Sequence, residues 1–197
     1  MTLGLVEYIL LNVLPKVFDV SDTMNKFGLF LIDDMVEFLG YDILQARWAD
    51  FLVPLTKYCV DKNVVTSHAA CYGLGIYSAC TPPLAFKPYI EPVLTKLVEA
   101  VGIPAGTEKV KLYNSCKDNT VAAIGKIIKA PGGSLDPKPL LKIWLGCLPL
   151  KTDKPEAINQ HELLVDIMLN SPDLLLSNAN AQQNVMVLAK ILAVYGD

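Results

Sequence analysis

Leu31-Ile-Asp33-Asp34-Met-Val36 is echoed three times further along the chain, at Tyr72-Gly73-Leu-Gly75-Ile-Tyr77, Ala123-Ile-Gly125-Lys126-Ile-Ile128 and Leu164-Val-Asp166-Ile-Met-Leu169. Taking Asp34, Gly75, Gly125 and Asp166 as equivalent gives intervals of 41, 50 and 41 residues. Each echo follows another apolar stretch that contains or begins with a proline: Pro15, Pro54, Pro92 and Pro139 in turn. Proline lacks the amide donor and bends or starts a helix, so each marks the first member of a helix pair.

Two helices per forty residues is the period of HEAT and armadillo arrays, in which a hairpin buries its apolar face only by stacking on its neighbours. The expected fold is all-α: an α-α superhelix (HEAT-repeat solenoid) of about four helical hairpins plus a terminal helix, one array over residues 1–197. The hairpins are placed at 3–40, 47–80, 89–130 and 136–170, and the final helix at 181–195. Function in such an array belongs to a surface rather than to a catalytic pocket.

From about Asp22 to Leu39, Met24, Phe27, Leu31, Met35 and Phe38 recur at steps of three and four, an apolar stripe that Ser21 or Asp22 would cap. The second pair turns at Asp61-Lys62-Asn63 and carries the stripe Val65, Ala69, Tyr72, Ile76, Cys80. Gly73 and Gly75 would each cost about 1 kcal/mol relative to alanine in an exposed helix, so they are expected to admit a close neighbour. The extra residues of the longer third period fall at Gly102 to Leu112, expected to be an exposed, mobile loop. Ala130-Pro-Gly-Gly-Ser134 breaks the chain before the fourth pair.

Hydrophobic residues make up 52% of the chain against 19% charged, with a mean hydropathy of +0.37. That balance fits a piece of a longer array whose ends are normally covered. Membrane insertion is not expected: the longest apolar stretch, Leu3 to Phe18, is interrupted by Glu7, Asn12, Pro15 and Lys16, and a spanning helix needs about 20 apolar residues. Nor is there a basic segment and cleavage site typical of a secretory signal. The scattered cysteines Cys59, Cys71, Cys80, Cys116 and Cys147 read as reduced, buried thiols of an intracellular protein. A net charge of −3 and a pI near 5.4 disfavour direct nucleic-acid binding and permit basic partners.

Gln160-His161-Glu162-Leu-Leu-Val165 begins like a zinc-protease motif but has valine where the second histidine is required, and the chain holds two histidines; no metal site is expected. His68 and Cys71 lie one turn apart without an orienting third group and read as packing. Gly73-Leu-Gly75 and Gly125-Lys126 lack the remaining glycines of nucleotide-binding loops. No cofactor and no enzymatic activity are expected. Asp33 and Asp34, with Glu37 one turn later, form an acidic cluster able to pair with lysine or arginine. Asp33 and Glu37 are the candidate protein-binding residues; Asp34, in the register of Gly75 and Gly125, is expected against packed backbone. Trp48 and Trp144 are apolar anchors, Trp144 within a core-like pattern.

Four strings then occur in order: Gly28-Leu-Phe-Leu-Ile-Asp33-Asp34-Met-Val-Glu37, Ala69-Ala70-Cys-Tyr72-Gly73-Leu-Gly75, Asp118-Asn119-Thr-Val-Ala-Ala-Ile-Gly125-Lys126-Ile, and Trp144-Leu-Gly-Cys-Leu-Pro149-Leu-Lys-Thr-Asp153-Lys154-Pro-Glu156-Ala157. Over about residues 12 to 197 the chain resembles the C-terminal HEAT repeats of a karyopherin-β (importin-β superfamily) nuclear import receptor of the beta-three branch. The resemblance implies a receptor that shuttles between cytoplasm and nucleus, wraps basic cargo such as ribosomal proteins or histones, and releases it to Ran-GTP. Ran-GTP and nucleoporin contacts would lie mainly outside this chain. The family's principal cargo and Ran motifs do not map onto these positions, so no binding residue is carried over. The segment would supply curvature and an accessory cargo surface. The alternative is a HEAT-repeat scaffold of a cytoplasmic or chromosome-associated complex with no Ran dependence.

Overall fold

The computed structural model describes residues 2–103, 110–129, 138–175 and 181–195. Among them every regular element is helical. The first hairpin comprises α1 (Thr2–Tyr8), α2 (Leu14–Val20) and α3 (Asp22–Leu44). The second pairs α4 (Trp48–Tyr58) with α5 (Val64–Cys80), and a short α6 (Pro83–Phe86) leads to the third, α7 (Ile90–Val101) with α8 (Val110–Lys129). The fourth consists of α9 (Lys138–Cys147) and α10 (Lys154–Asn170), followed by α11 (Ala181–Tyr195). No described helix is long and apolar enough to cross a membrane.

Proline governs the entry to the array. Pro15 has no amide to offer Leu11, and the turn before it, Ile9–Val13, widens to a π-turn in which the Leu14 amide reaches back to the Ile9 carbonyl. Gly40 closes the straight part of α3 with φ of +71°, a conformation that side-chain-bearing residues rarely adopt. The second hairpin turns as its sequence implies: Asn63 accepts from the Val65 amide at 3.0 Å and caps α5. Ser21 behaves differently. Its side chain makes no cap, and its carbonyl instead accepts from the Met24 amide at 2.9 Å.

The second helices lie side by side in chain order. α5 packs on α3, α4 and α8, and α8 packs on α5, α7, α9 and α10. Close approach rests on residues with little or no side chain. The space a Cβ would need at Gly73 is taken by the Asp33 carboxylate and Leu55, and at Gly125 by the Gln160 carboxamide and the Trp144 indole nitrogen. A Cβ on Gly75 would stand 3.3 Å from that of Ala123. Both indole nitrogens are satisfied within the core: Trp48 donates to Thr81 Oγ1 at 2.8 Å and Trp144 to Gln160 Oε1 at 2.9 Å.

Two expectations about α3 are corrected. The buried side holds Gly28, Leu29, Ile32, Asp33, Met35 and Val36, whereas Phe27 and Phe38 of the expected stripe are 50% and 75% exposed. The helix is apolar nearly all round, so period alone does not choose a face; the tight fit of Gly28 under the Phe18 ring and of Asp33 over Gly73 does. The register also differs by one residue: Asp33 packs against the next helix and Asp34 is exposed. The five cysteines are free thiols, with Cys59, Cys71 and Cys116 buried. Of the loop expected at 102–112, residues 104–109 lie outside the described residues, as does the breaker at 130–134; Tyr113 donates its hydroxyl to the Ile103 carbonyl across the loop's ends.

Hairpins three and four are joined by one carboxylate. Buried Asp118 on α8 accepts from the amides of Lys151, Thr152 and Asp153 at 3.2, 2.7 and 3.0 Å through a single oxygen, which fixes the entry to α10. If packing at bare backbone sets the spacing of these helices, Gly125→Ala should lower unfolding free energy by about 2 kcal/mol or more in urea melts. Gly4→Ala, with nothing within 4 Å of the added Cβ, should leave stability unchanged or slightly raised. Equal effects at the two positions would contradict this packing account.

Candidate protein-binding groove

The stacking of second helices leaves a groove of about 370 Å³ between them. Phe30, Asp33 and Asp34 enter it from α3, Val65, His68, Ala69 and Tyr72 from α5, Asn119 from α8, and Asp153 from the start of α10. The α5 residues recur at steps of three and four, so one face of that helix forms the central wall.

Asp33 forms the floor. It is 4% exposed, and its Oδ1, pressed against Gly73, finds no hydrogen-bond partner. Burial, then the neighbouring charges of Asp34 and Glu37, push its carboxyl up to about 8. At neutral pH it is therefore mostly a protonated acid. Asp34 and Glu37 are exposed. Glu37 lies beyond the nine residues that line the groove, yet after burial its charge is the next cause that raises the Tyr72 hydroxyl and the Cys80 thiol.

Tyr72 reports the field of the whole site. Its hydroxyl is raised first by burial and then by Glu37, Asp33, Glu156 and Asp153, carboxylates contributed by α3 and by the start of α10. His68 is half-buried; desolvation lowers its pKa against the opposing pull of Asp153, which keeps the ring neutral at pH 7. None of the nine lining residues is lysine or arginine. Lys126, whose ammonium stands 5.9 Å from the Tyr72 ring centre, is already engaged with Glu156 Oε1 at 2.5 Å.

The far wall is held by hydrogen bonds. Asn119 donates to Asp153 Oδ2 at 2.9 Å, while Asp153 Oδ1 accepts from the Glu156 amide at 3.2 Å and caps α10. Asp118 anchors the amides of Lys151, Thr152 and Asp153, so Asp153 is positioned through its own backbone as well. His68 and Cys71 do not pair; the Cys71 thiol turns inward to the Cys59 carbonyl at 3.5 Å.

Asp33 thus lies in the groove and Glu37 one turn beyond Asp33. His68, Tyr72, Asn119 and Asp153 were not singled out as site residues from sequence. The i, i+4 spacing of His68 and Tyr72 was a local signal that could have flagged them; the approach of Asn119 and Asp153 depends on tertiary stacking. Among the described residues no group of three or more histidine, cysteine, aspartate or glutamate side chains could hold a metal ion.

No protein-family model matches the chain. It is similar to importin subunit beta-3 of Saccharomyces cerevisiae, with 24% identity over 155 residues. The alignment covers 78% of this chain and 14% of the yeast protein, so the chain spans a small part of that relative's length. This likeness supports a karyopherin-like relationship for a chain whose fold is a helical-repeat solenoid.

Proposed function

We propose that the chain is part of a nuclear transport receptor, from the C-terminal repeats of the beta-three branch of the importin-β superfamily, and that its groove is an accessory surface for basic cargo. Cargo of the ribosomal-protein or histone kind would be carried through the nuclear pore under Ran-GTP control, with the receptor shuttling between cytoplasm and nucleus. Ran-GTP and nucleoporins would be engaged mainly by repeats outside this chain. The segment itself, one array and a piece of a longer solenoid, is a binding surface and not an enzyme.

The observation that carries the reading is the surplus of carboxylates. Asp33, Asp34 and Asp153 line a groove with no lysine or arginine among its nine lining residues, Glu37 lies one turn beyond Asp33, and Lys126, near the Tyr72 ring, is committed to Glu156. A lysine or arginine side chain entering between Asp34 and Tyr72 would meet that field in a partly desolvated setting, where charge-assisted contacts are strongest. Its charge would also favour the ionised form of Asp33, so binding should release a proton.

Asp33 gives a test with opposed signs. The folded carboxyl holds its proton up to about 8, whereas its ordinary value is 3.8. The stability of the acid form is complete below 3.8 and is lost as pH rises toward the folded value, because the unfolded chain ionises first. Asp33→Asn cannot ionise. It should therefore raise stability by about 2 kcal/mol near neutral pH, with the gain vanishing in acid, and weaken binding of a lysine-rich peptide about tenfold. A variant that loses stability and keeps affinity would contradict the assignment. Asp34→Asn with Glu37→Gln, both at exposed positions, should shift stability by less than about 0.5 kcal/mol and reduce both affinity and its salt dependence.

The transport reading is tested on the native protein, captured from cell extract with an antibody against this segment. Basic proteins should co-purify and leave when GTP-loaded Ran is added, but stay with GDP-loaded Ran. Retention in both nucleotide states would overturn transport and leave a HEAT-repeat scaffold.

A further inference from the structure

The groove between α3, α5, α8 and α10 supplies negative charge but few of the acceptors that a primary ammonium needs. A lysine head brings three N–H donors, and any left unpaired on leaving water is costly. Asp153 has both carboxylate oxygens engaged, Oδ2 by Asn119 at 2.9 Å and Oδ1 by the Glu156 amide at 3.2 Å. Asp33, 4% exposed, lies on the floor with an Oδ1 that has no hydrogen-bond partner and is pressed against Gly73. Of the three lining carboxylates, Asp34 is the one at an exposed position.

The remaining walls are apolar or neutral. Val65, Ala69 and the rings of Phe30 and Tyr72 line the groove beside a neutral His68. The two rings come from different helices, Phe30 from α3 and Tyr72 from α5. Phe30 is 43% exposed and is braced edge-on by Phe27, with ring centres 6.3 Å apart at 84°. Tyr72 already shows its affinity for a cation, since the Lys126 ammonium stands 5.9 Å from its ring centre. Lys126 lines the adjoining groove, beside Gly125 and Gln160, and is not among the nine residues that line this one.

We propose that the groove is a seat for trimethylated lysine, its quaternary ammonium head held between Phe30 and Tyr72 above Asp33, with Asp34 at the mouth. The proposal rests on the reading of this groove as a surface for basic protein partners and narrows that reading to a modified side chain. Methylation keeps the positive charge of lysine while removing its donors, so a trimethylated head requires no hydrogen bond from a groove that has few to give. Its N-methyl groups share the charge and can rest on ring faces and against the unpartnered Asp33 oxygen. Aromatic rings attract such a cation through their quadrupole, most strongly where it has left water. The bulkier, less hydrated head also fills more of the 370 Å³ than a primary ammonium would.

The test measures binding of the 197-residue chain to a short fluorescent lysine-rich peptide, prepared with its central lysine unmodified or trimethylated, by anisotropy at fixed salt. The trimethylated form should bind about tenfold more tightly. Phe30→Leu, at a partly exposed position, keeps apolar bulk and removes the ring; it should bring the two forms to within about twofold of each other and leave affinity for the unmodified peptide unchanged. Tyr72→Phe keeps the ring and should keep the preference. Asp34→Asn should weaken both forms alike. Equal or weaker binding of the trimethylated peptide, or a preference that survives Phe30→Leu, would overturn the methyl-lysine seat while leaving the reading of the groove as a basic-cargo surface in place. Failure of both peptides to bind would overturn the two together.

Discussion

Everything in this structure depends on how closely the second helices approach one another. Gly73 and Gly125 present bare backbone at two of the three interfaces, and each receives a polar side chain of the adjacent second helix: Asp33 over Gly73, Gln160 against Gly125. The middle interface, between α5 and α8, is closed by Gly75 against Ala123. Side chains that would otherwise hold the helices apart are missing, so polar groups of one hairpin come within reach of the next. That is why a groove lined by four helices can exist in an array whose hairpins are formed locally.

Two buried aspartates show what such proximity does. Asp118 receives three backbone amides on one oxygen and so links hairpins three and four. Asp33, equally buried, is placed over Gly73 with an unpartnered oxygen and two acidic neighbours on its own helix. Burying a carboxyl without a partner is unfavourable by a few kcal/mol and is commonly avoided by protonation. A position that weakens the fold at neutral pH while facing an acidic groove is the one where the fold's stability and partner binding pull in opposite directions.

Much of the architecture was legible because it is local. The forty-residue period, the prolines of the first helices and the turn at Asp61-Lys62-Asn63 are signals within single hairpins, and they point to the all-helical repeat array that the structure has. What was not legible needed a second helix to decide it. On α3 the pattern Phe27, Leu31, Phe38 competes with Leu29, Ile32, Val36, and only packing against Phe18 and Gly73 selects the latter. The same one-residue ambiguity exchanged the environments expected for Asp33 and Asp34. In the groove, Asp33 was visible as part of an acidic run, but His68, Asn119 and Asp153 come together from 34 or more residues apart along the sequence.

The central claim is that basic partners enter between α3, α5 and the start of α10, and hydrogen exchange tests it most directly. The chain would be followed by mass spectrometry with and without a lysine- and arginine-rich peptide. The account predicts slowed exchange in the segments that carry Phe30 to Glu37, Val65 to Tyr72 and Lys151 to Glu156, with α2 and α4 unchanged. Protection confined to α2 and α4, or none despite measurable binding, would contradict it.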